Sequence, residues 1–558
     1  MKILIEKYHY PTNILQGLLP PKYITFQKQG FASVELVGYY NNFENNETIL
    51  ILPKIFEEQG HIFSSIVPES FVNEDALTVL KNHDKTKTEI DFIYRFALVF
   101  YLSLREFQHR NAENTITSQE NLKNIISNIH STDFSELDLI FSLLRFYQEN
   151  RELILFKQKM AEKQHFKKTN WAKTIHKQTA ILQDDLHKNT QAMYLQTSQK
   201  EKLQDNENEL LTIFFTVLHR FRTEYGFNIH IDNVFAITKQ TDFDHKALRT
   251  LKQIRHQYFQ DKFKKLLTLL LAYFEKRNLG SAKIGSEEFL LCQFYNIVFE
   301  DMIDKLLSDT HIAKGLKEQG DGKIVDHIFE YGSLFEPDSI FYIGDSKYYK
   351  DTTNYSKNTL FKQHTYAKNV IQYNINLFNE DKKQENLHLR YRDNLTEGYN
   401  ITPNFFIQGY IDHQNLTATT DNFQFDATQD AKISYHFENR IFDRDTLLVV
   451  NFKINFIFVL QTYIEKYRHN SQNFSQKAKV IIKNYIWDYL KKHYEFYLLR
   501  PNTDIESFVN QHFKVLNGKI YRTSEMKNSL ILGLKKECTL ENNAIFDVMK
   551  QSLIHPID

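Results

Sequence analysis

The chain has 558 residues, with 69 Lys+Arg against 69 Asp+Glu. Global charge therefore favours neither a nucleic-acid nor a membrane partner, and any basic surface must be local. An apolar share of 42% with 25% charged residues excludes a disordered or fibrous chain, and the length predicts roughly two to four domains. Two cysteines, Cys292 and Cys538, without a CxxC spacing exclude a disulfide framework or cysteine-type zinc site and fit a reducing cytoplasm. The N-terminal MKILIEKYHYP lacks an apolar core followed by a small-residue cleavage site, so no signal peptide is expected.

Residues 1–75 read as a β-rich N-terminal domain. FASVELVGYY (31–40) and TILILPKIF (48–56) are short β-rich runs joined by a polar, hairpin-like connection, and Pro53 caps the second. From 76 to 280 the period becomes helical: 92–108, 136–156, 209–225 and 247–277 carry apolar residues at helical spacing. A β insertion interrupts this region near 165–205. It opens on the basic segment KKTNWAKTI (167–175), with one of the two tryptophans. Asn278-Leu279-Gly280-Ser281 marks the next boundary.

The segment 281–445 opens with a predicted helix, SEEFLLCQFYNIVFEDMIDKLLSD (286–309). Strands at 323–331 and 339–349, a helix at 358–378 and a strand at 404–412 follow. That order predicts an α/β (α+β) fold. The last region, 446–558, reads as helical and completes this domain. Two apolar stretches call for a membrane test. LLTLLLAYF (266–274) is too short, and TLLVVNFKINFIFVLQTYI (446–464) contains Asn451, Lys453 and Asn455. A buried strand running into a core helix is expected for the latter, and no membrane span.

The most informative run is FYIGDSKYYK, 341–350. An apolar strand there ends in Asp345-Ser346-Lys347, and the two-residue period of a strand puts Asp345 and Lys347 on one face. A carboxylate that can hold a divalent cation, beside an ammonium, is the core of a metal-dependent phosphodiesterase site. The tripeptide recurs at Asp321-Gly322-Lys323, Glu380-Asp381-Lys382 and Glu525-Met526-Lys527; the preceding strand and the following Tyr348-Tyr349 set 345–347 apart.

Candidates to complete the site stand in order. Glu300 lies on a predicted helix, Asp326 inside the apolar strand KIVDHIFE, and Gln363 and Tyr366 one turn apart on the next helix. An acid within an apolar strand is costly unless paired or metal-bound. Singly, each has an ordinary reading: a solvated helix acid, a strand-end acid, a helix face on a sheet. Asp338, in a literal Pro-Asp pair, is the rival first acid. It precedes Asp345 by only seven residues, too few for two antiparallel strands and a turn, and reads as a turn residue.

The series Glu300, Asp326, Asp345-Ser346-Lys347 and Gln363-x-x-Tyr366 resembles the PD-(D/E)xK nuclease superfamily, and more narrowly the McrC/LlaJI group of restriction endonuclease subunits. LVGYY…ILILPKIF (36–56) resembles that group's N-terminal hairpin, and KKTNWAKTI its "WxxTI" region. The resemblance implies a restriction-endonuclease-like core in which Asp326 and Asp345 bind Mg²⁺, with Mn²⁺ as a substitute. Glu300 would assist through the metal or a water, Lys347 would orient or activate the attacking water, and Gln363 would steady the site; Tyr366 is a weaker carry-over. It also implies an AAA-type NTPase partner and a DNA substrate, with the N-terminal half, including Phe166, Lys167, Lys168, Trp171 and Lys173, meeting DNA or the partner. Val325 stands where the family has proline before the first acid, so Asp326 and Asp338 both stay open. No GxxxxGK[ST] loop occurs, so NTP-driven work would come from another chain. The expected function is a cytoplasmic, Mg²⁺-dependent DNA endonuclease of a restriction-type anti-phage system. The alternatives are a non-catalytic DNA-binding adaptor that activates the NTPase, and an RNA nuclease.

Overall fold

The computed structural model describes residues 1–42, 47–63, 65–83, 96, 99–110, 125–127, 135–151, 156–161, 169–184, 190–204, 208–224, 243–282, 287–309, 312, 314–319, 324–349, 357–379, 389–412, 420–426, 432–434, 438–464, 468–526, 528–550 and 552–557. The fold is mixed α+β, and contacts divide it into two compact units: 1, 41–47 and 132–288 in one, and 2–40, 48–131 and 289–558 in the other. The expected N-terminal domain and nuclease segment thus fall largely in the same unit.

That larger unit is built on two main sheets. The first uses β1 (Lys2–Ile5), β2 (Leu36–Asn42), β3 (Glu47–Leu52) and β4 (Glu287–Gln293) in the order β1-β3-β2-β4, with Ile125–Ser127 beyond β4. β1 runs parallel to β3. β3 is buried from Thr48 to Leu52 and stops at Pro53, which has no N–H for a ladder. The helix expected over 286–309 is corrected here. Residues 287–293 form β4 because Leu290, Leu291 and Cys292 fill an interior strand, and only Tyr295–Leu307 is helical (α1). The chain passes from one to the other through Phe294, whose φ is 53°.

The second sheet contains β5 (His327–Gly332), β6 (Ser339–Lys347), β7 (Pro403–Tyr410) and β8 (Leu447–Asn455) in that order, and Gln424–Phe425 and Lys432–Ser434 also pair β8. β5 and β6 are antiparallel, whereas β6, β7 and β8 are mutually parallel. β6 and β7 are buried along almost their whole length, as parallel strands covered on both faces must be. Between β6 and β7 runs α2 (Lys357–Asn379). β8 leads straight into α3 (Phe456–Ile464), the strand-to-helix passage expected for 446–464. Among the described residues no helix is long and apolar enough to cross a membrane.

Gly344 is required by packing. A Cβ there would come within 2.3 Å of the Phe405 ring, which lies 5.7 Å from Phe329 in the sheet's apolar layer. Two further expectations change. Asp326 is not mid-strand: it sits on a bend immediately before β5. The C-terminal region, expected to be helical, carries a four-stranded sheet from Tyr494–Arg500, Ile520–Tyr521, Leu530–Lys535 and Leu553–Pro556. Its strands hide because they are short and separated by helices Ile505–Leu516 and Thr539–Val548.

The smaller unit is mainly helical, with helices Glu136–Glu149, Glu209–Glu224, Phe243–Gln253 and Asp261–Ala282. Ser135 opens the first with a capping box to Asp138. The single helix expected over 247–277 is two, separated by the polar residues after Ile254, and the second runs through the boundary expected at 278–281. Arg277 ties the bundle together, reaching Glu136 at 2.9 Å and Asp244 at 3.2 Å. An antiparallel hairpin, 181–184 with 190–193, lies within the expected β insertion, and 199–204 pairs antiparallel with 156–161, a strand that precedes it.

Candidate active site

The two elements that bracket the site are fixed by the sheet. Pairing of β5 with β6 sets His327 opposite Gly344, so Asp326 arrives beside Asp345 and Ser346. The Ser346 N–H donates to Asp326 Oδ2 at 3.3 Å. Asp338 lies at the other end of β6, where its carbonyl accepts from the Ser333 N–H across the hairpin turn. Seven residues of strand, about 23 Å at 3.3 Å per residue, separate it from Asp345.

Asp345 and Lys347 share a face of β6, and the Lys347 ammonium donates to Asp345 Oδ2. Both are buried, at 1% and 8% exposure, so the ion pair is held where water screens it poorly. Lys347 Nζ also lies 5.1 Å from the centre of the Phe406 ring. Glu300 comes from α1, where Asn296 donates to its Oε1 at 3.3 Å. Gln363 is fully buried; its amide donates to the Ile343 carbonyl at 3.0 Å and to Asn404 Oδ1 at 3.3 Å. It therefore pins α2 across β6 and β7 rather than facing the acids. Tyr366 is buried one turn on, with the Lys362 ammonium 5.2 Å from its ring centre.

The acids perturb one another. Burial, followed by the negative charge and hydrogen bond of Asp345, pushes Asp326 well above the usual carboxylate range. Burial pushes Asp345 up too, but the hydrogen bond with Asp326 and the charge of Lys347 outweigh it, and the net shift is downward. The two carboxyls are thus driven apart, Asp326 upward and Asp345 downward, as crowded carboxyls tend to be. Glu300 is raised to about 7, chiefly by burial; the Asn296 bond opposes the rise and Asp345 adds to it. For Lys362, burial lowers the ammonium, but the bond with Tyr366 and the charges of Asp326 and Asp345 raise it overall. Among the described residues no three His, Cys, Asp or Glu side chains stand gathered as a ready ligand set. What is present is an adjoining acid pair, a third acid that senses it, and two lysines.

Behind this face runs a second polar layer. The Ser346 hydroxyl contacts His327 Nε2, and His327 Nδ1 stands 3.6 Å from Asp304 Oδ1 on α1. Ser, His and Asp in this order resemble a nucleophilic triad, but His327 is fully buried in the sheet and its other partner, Asp304, is engaged by Lys317 and by Ser308. The layer ties β6, β5 and α1 together, and it fixes Glu300 one turn from Asp304.

A cavity of about 380 Å³ opens on the site, lined by Glu300, Asp345, Lys347 and Lys362 on one side. Residues that sequence reasoning passed over line it too: Lys7, Lys54 and Phe294. Lys362 could have been found from its four-residue spacing to Tyr366, whereas the others are brought in only by tertiary structure. Among the expected DNA or partner contacts, Phe166, Lys167 and Lys168 lie outside the described residues. Trp171 opens the helix Trp171–Lys177, not a strand, capped by the Asn170 side chain; it is 57% exposed.

No family model and no curated protein matches the chain. Comparison with solved structures finds a half-complex of Thermococcus gammatolerans McrB AAA+ hexamers with bound McrC, at 11% identity and a TM-score of 0.25, covering 86% of this chain and 99% of the other. At that TM-score the likeness carries no argument about fold or role.

Proposed function

We propose that this chain is a Mg²⁺-dependent endonuclease that hydrolyses DNA phosphodiester bonds, the cleaving subunit of a restriction-type anti-phage system that works with an AAA-type NTPase on another chain. One observation carries the chemistry: Asp326 adjoins Asp345 at the end of a buried strand, and Asp345 and Lys347, on one face of that strand, line a cavity. The NTPase partner and the system rest on the sequence resemblance alone.

The donor set fits a hard divalent cation. Mg²⁺ takes oxygen ligands and commonly binds through one or two carboxylates while keeping waters and substrate oxygens. Asp326 and Asp345 would hold it, with Glu300 assisting directly or through a water. Bound there, Mg²⁺ or Mn²⁺ would polarise the phosphate and make a water more nucleophilic. Lys347 keeps its ammonium at the acid pair, where it would orient that water and offset charge growing on the phosphate. Gln363 is a positioning residue that holds α2, and with it Lys362 and Tyr366, against the end of β6.

The test is cleavage of DNA with Mg²⁺ and the partner, comparing wild type with Asp345→Ala and Lys347→Ala. Each substitution is expected to lower the rate by about 100-fold or more, the usual cost of removing one group that stabilises transition-state charge. Undiminished cutting in both variants would remove the site assignment. Wild type that binds DNA and raises partner NTPase activity without cutting would be an adaptor, and cleavage confined to RNA would change the substrate.

A further inference from the structure

The cavity has a second wall that hydrolysis as described does not use. Lys7 and Lys54 come from the N-terminal β segment, and Phe294 stands at the foot of α1. Phe294 is the single residue between β4 and α1, and its left-handed backbone, φ 53°, is one that glycine adopts freely and a bulky side chain rarely does. No core burial offsets the strain, because Phe294 is 63% exposed. Lys7 repeats the pattern with φ 58° and an exposed side chain. Strained backbones at the mouth of a site are a common way of aiming a side chain at a ligand.

The wall is tied to the catalytic strand. Tyr348, next after Lys347, donates its hydroxyl hydrogen to the buried Glu6. The Lys54 N–H donates to Tyr348 Oη at 3.0 Å and to Glu6 Oε2 at 3.2 Å. The Lys54 ammonium lies 4.7 Å from the centre of the Tyr348 ring. Glu6 is thus engaged within the wall, and Glu35 also lines the cavity.

An exposed ring and ammonium groups lining one cavity are the chemistry of single-strand binding, in which the ring stacks on a base and the lysines follow the phosphates. Bases stacked in a duplex hide the faces that such a ring needs. The cavity, at about 380 Å³, falls in the size class that encloses small ligands. We infer that Phe294, with Lys54 and Lys7 of the same cavity, grips an unstacked nucleotide beside the scissile phosphate, so that the preferred substrate is single-stranded or locally opened DNA. This rests on the nuclease reading above.

The experiment measures KM and kcat of the full chain with its partner on a single-stranded oligodeoxynucleotide, the matching duplex and a gapped duplex. KM is expected to be lower for the single-stranded and gapped forms. Phe294→Ala raises KM on those forms about tenfold, the loss typical of one base–aromatic stack, and Phe294→Trp restores it. Lys54→Ala reduces the slope of log affinity against log salt by about 0.7, the value for one single-strand phosphate contact. Phe294→Gly relieves the backbone strain, so it keeps or raises thermal stability while KM still rises. Equal KM on all three DNAs, or an unchanged KM in Phe294→Ala, overturns the inference and leaves the nuclease reading standing. Wild type that cuts no nucleic acid overturns both.

Discussion

Glu300→Gln should make the metal-free protein more stable, and only above a definable pH. The Glu300 carboxyl is raised from 4.5 to about 7 in the folded chain, chiefly by burial. Below pH ~4.5 it is protonated both folded and unfolded, and contributes nothing to the pH dependence. As pH rises through that value the unfolded chain ionises first and gains free energy relative to the folded one; the loss of stability is complete above about pH 7. From 4.5 to about 7, at ~1.4 kcal/mol per pH unit, the full penalty is about 3 kcal/mol, an upper figure for a side chain that keeps some contact with water. A glutamine at this position keeps the shape and the Asn296 contact while removing the charge. Urea unfolding of wild type and Glu300→Gln between pH 4 and 8, without divalent ions, measures the difference. It is expected to be near zero at pH 4 and to approach about 3 kcal/mol at pH 8. Equal stability at pH 8, or a variant less stable there, would refute the claim that Glu300 is held in a poorly solvated site against its own ionisation.

Three further outcomes follow from the same geometry. Mg²⁺ affinity, read by calorimetry, should rise about tenfold from pH 6 to pH 8 as Glu300 ionises, with protons released on binding; a flat profile would exclude Glu300 as a ligand. Burial pushes Asp304 up, but the neighbouring His327 ring and the Lys317 charge outweigh it and hold the carboxyl down at about 2. It therefore adds about 2 kcal/mol that is present above pH ~4 and lost as pH falls through about 2; Asp304→Asn should lower the urea midpoint at pH 7, and an unchanged midpoint would count against the layer behind the site. Gly344→Ala should destabilise the fold by about 1–3 kcal/mol, because the added methyl must displace the Phe405 ring; full stability would show that the ring moves freely.

The strand β6 was legible because it is a continuous apolar run that ends abruptly in charge, a pattern that few other structures produce. The passage from β8 to α3 was legible for a related reason: Asn451, Lys453 and Asn455 rule out lipid, yet the flanking apolar residues demand burial. β4 was misread as helix because Glu287 to Leu291 has the composition of either element, and only neighbouring strands decide in favour of extension. Asp326, expected mid-strand, lies just before the strand begins, because an apolar neighbourhood in sequence does not say where pairing begins. The candidate acids could be ordered along the chain, but their mutual distances could not: the choice between Asp326 and Asp338 depends on which end of an antiparallel hairpin faces the site. Lys54, Lys7 and Phe294 carry no local signal at all. Their place at the cavity comes from a sheet that joins residues near the N-terminus to β4, more than two hundred positions later.

The contact between Glu6 and Tyr348 spans 342 residues. During synthesis, the first strand therefore waits on the ribosome while most of the smaller unit is made, and the wall of the cavity cannot close until β6 and the residues after it have emerged. At roughly 5–20 residues per second that wait lasts on the order of tens of seconds. A nascent chain that ends before β6 lacks Asp345 and Lys347 and has no Tyr348 to tie the facing wall to them. For an enzyme proposed to cut DNA inside the cell that makes it, the order of translation delays the cutting surface: its two walls come from opposite ends of a long interval and cannot meet until that interval has been made.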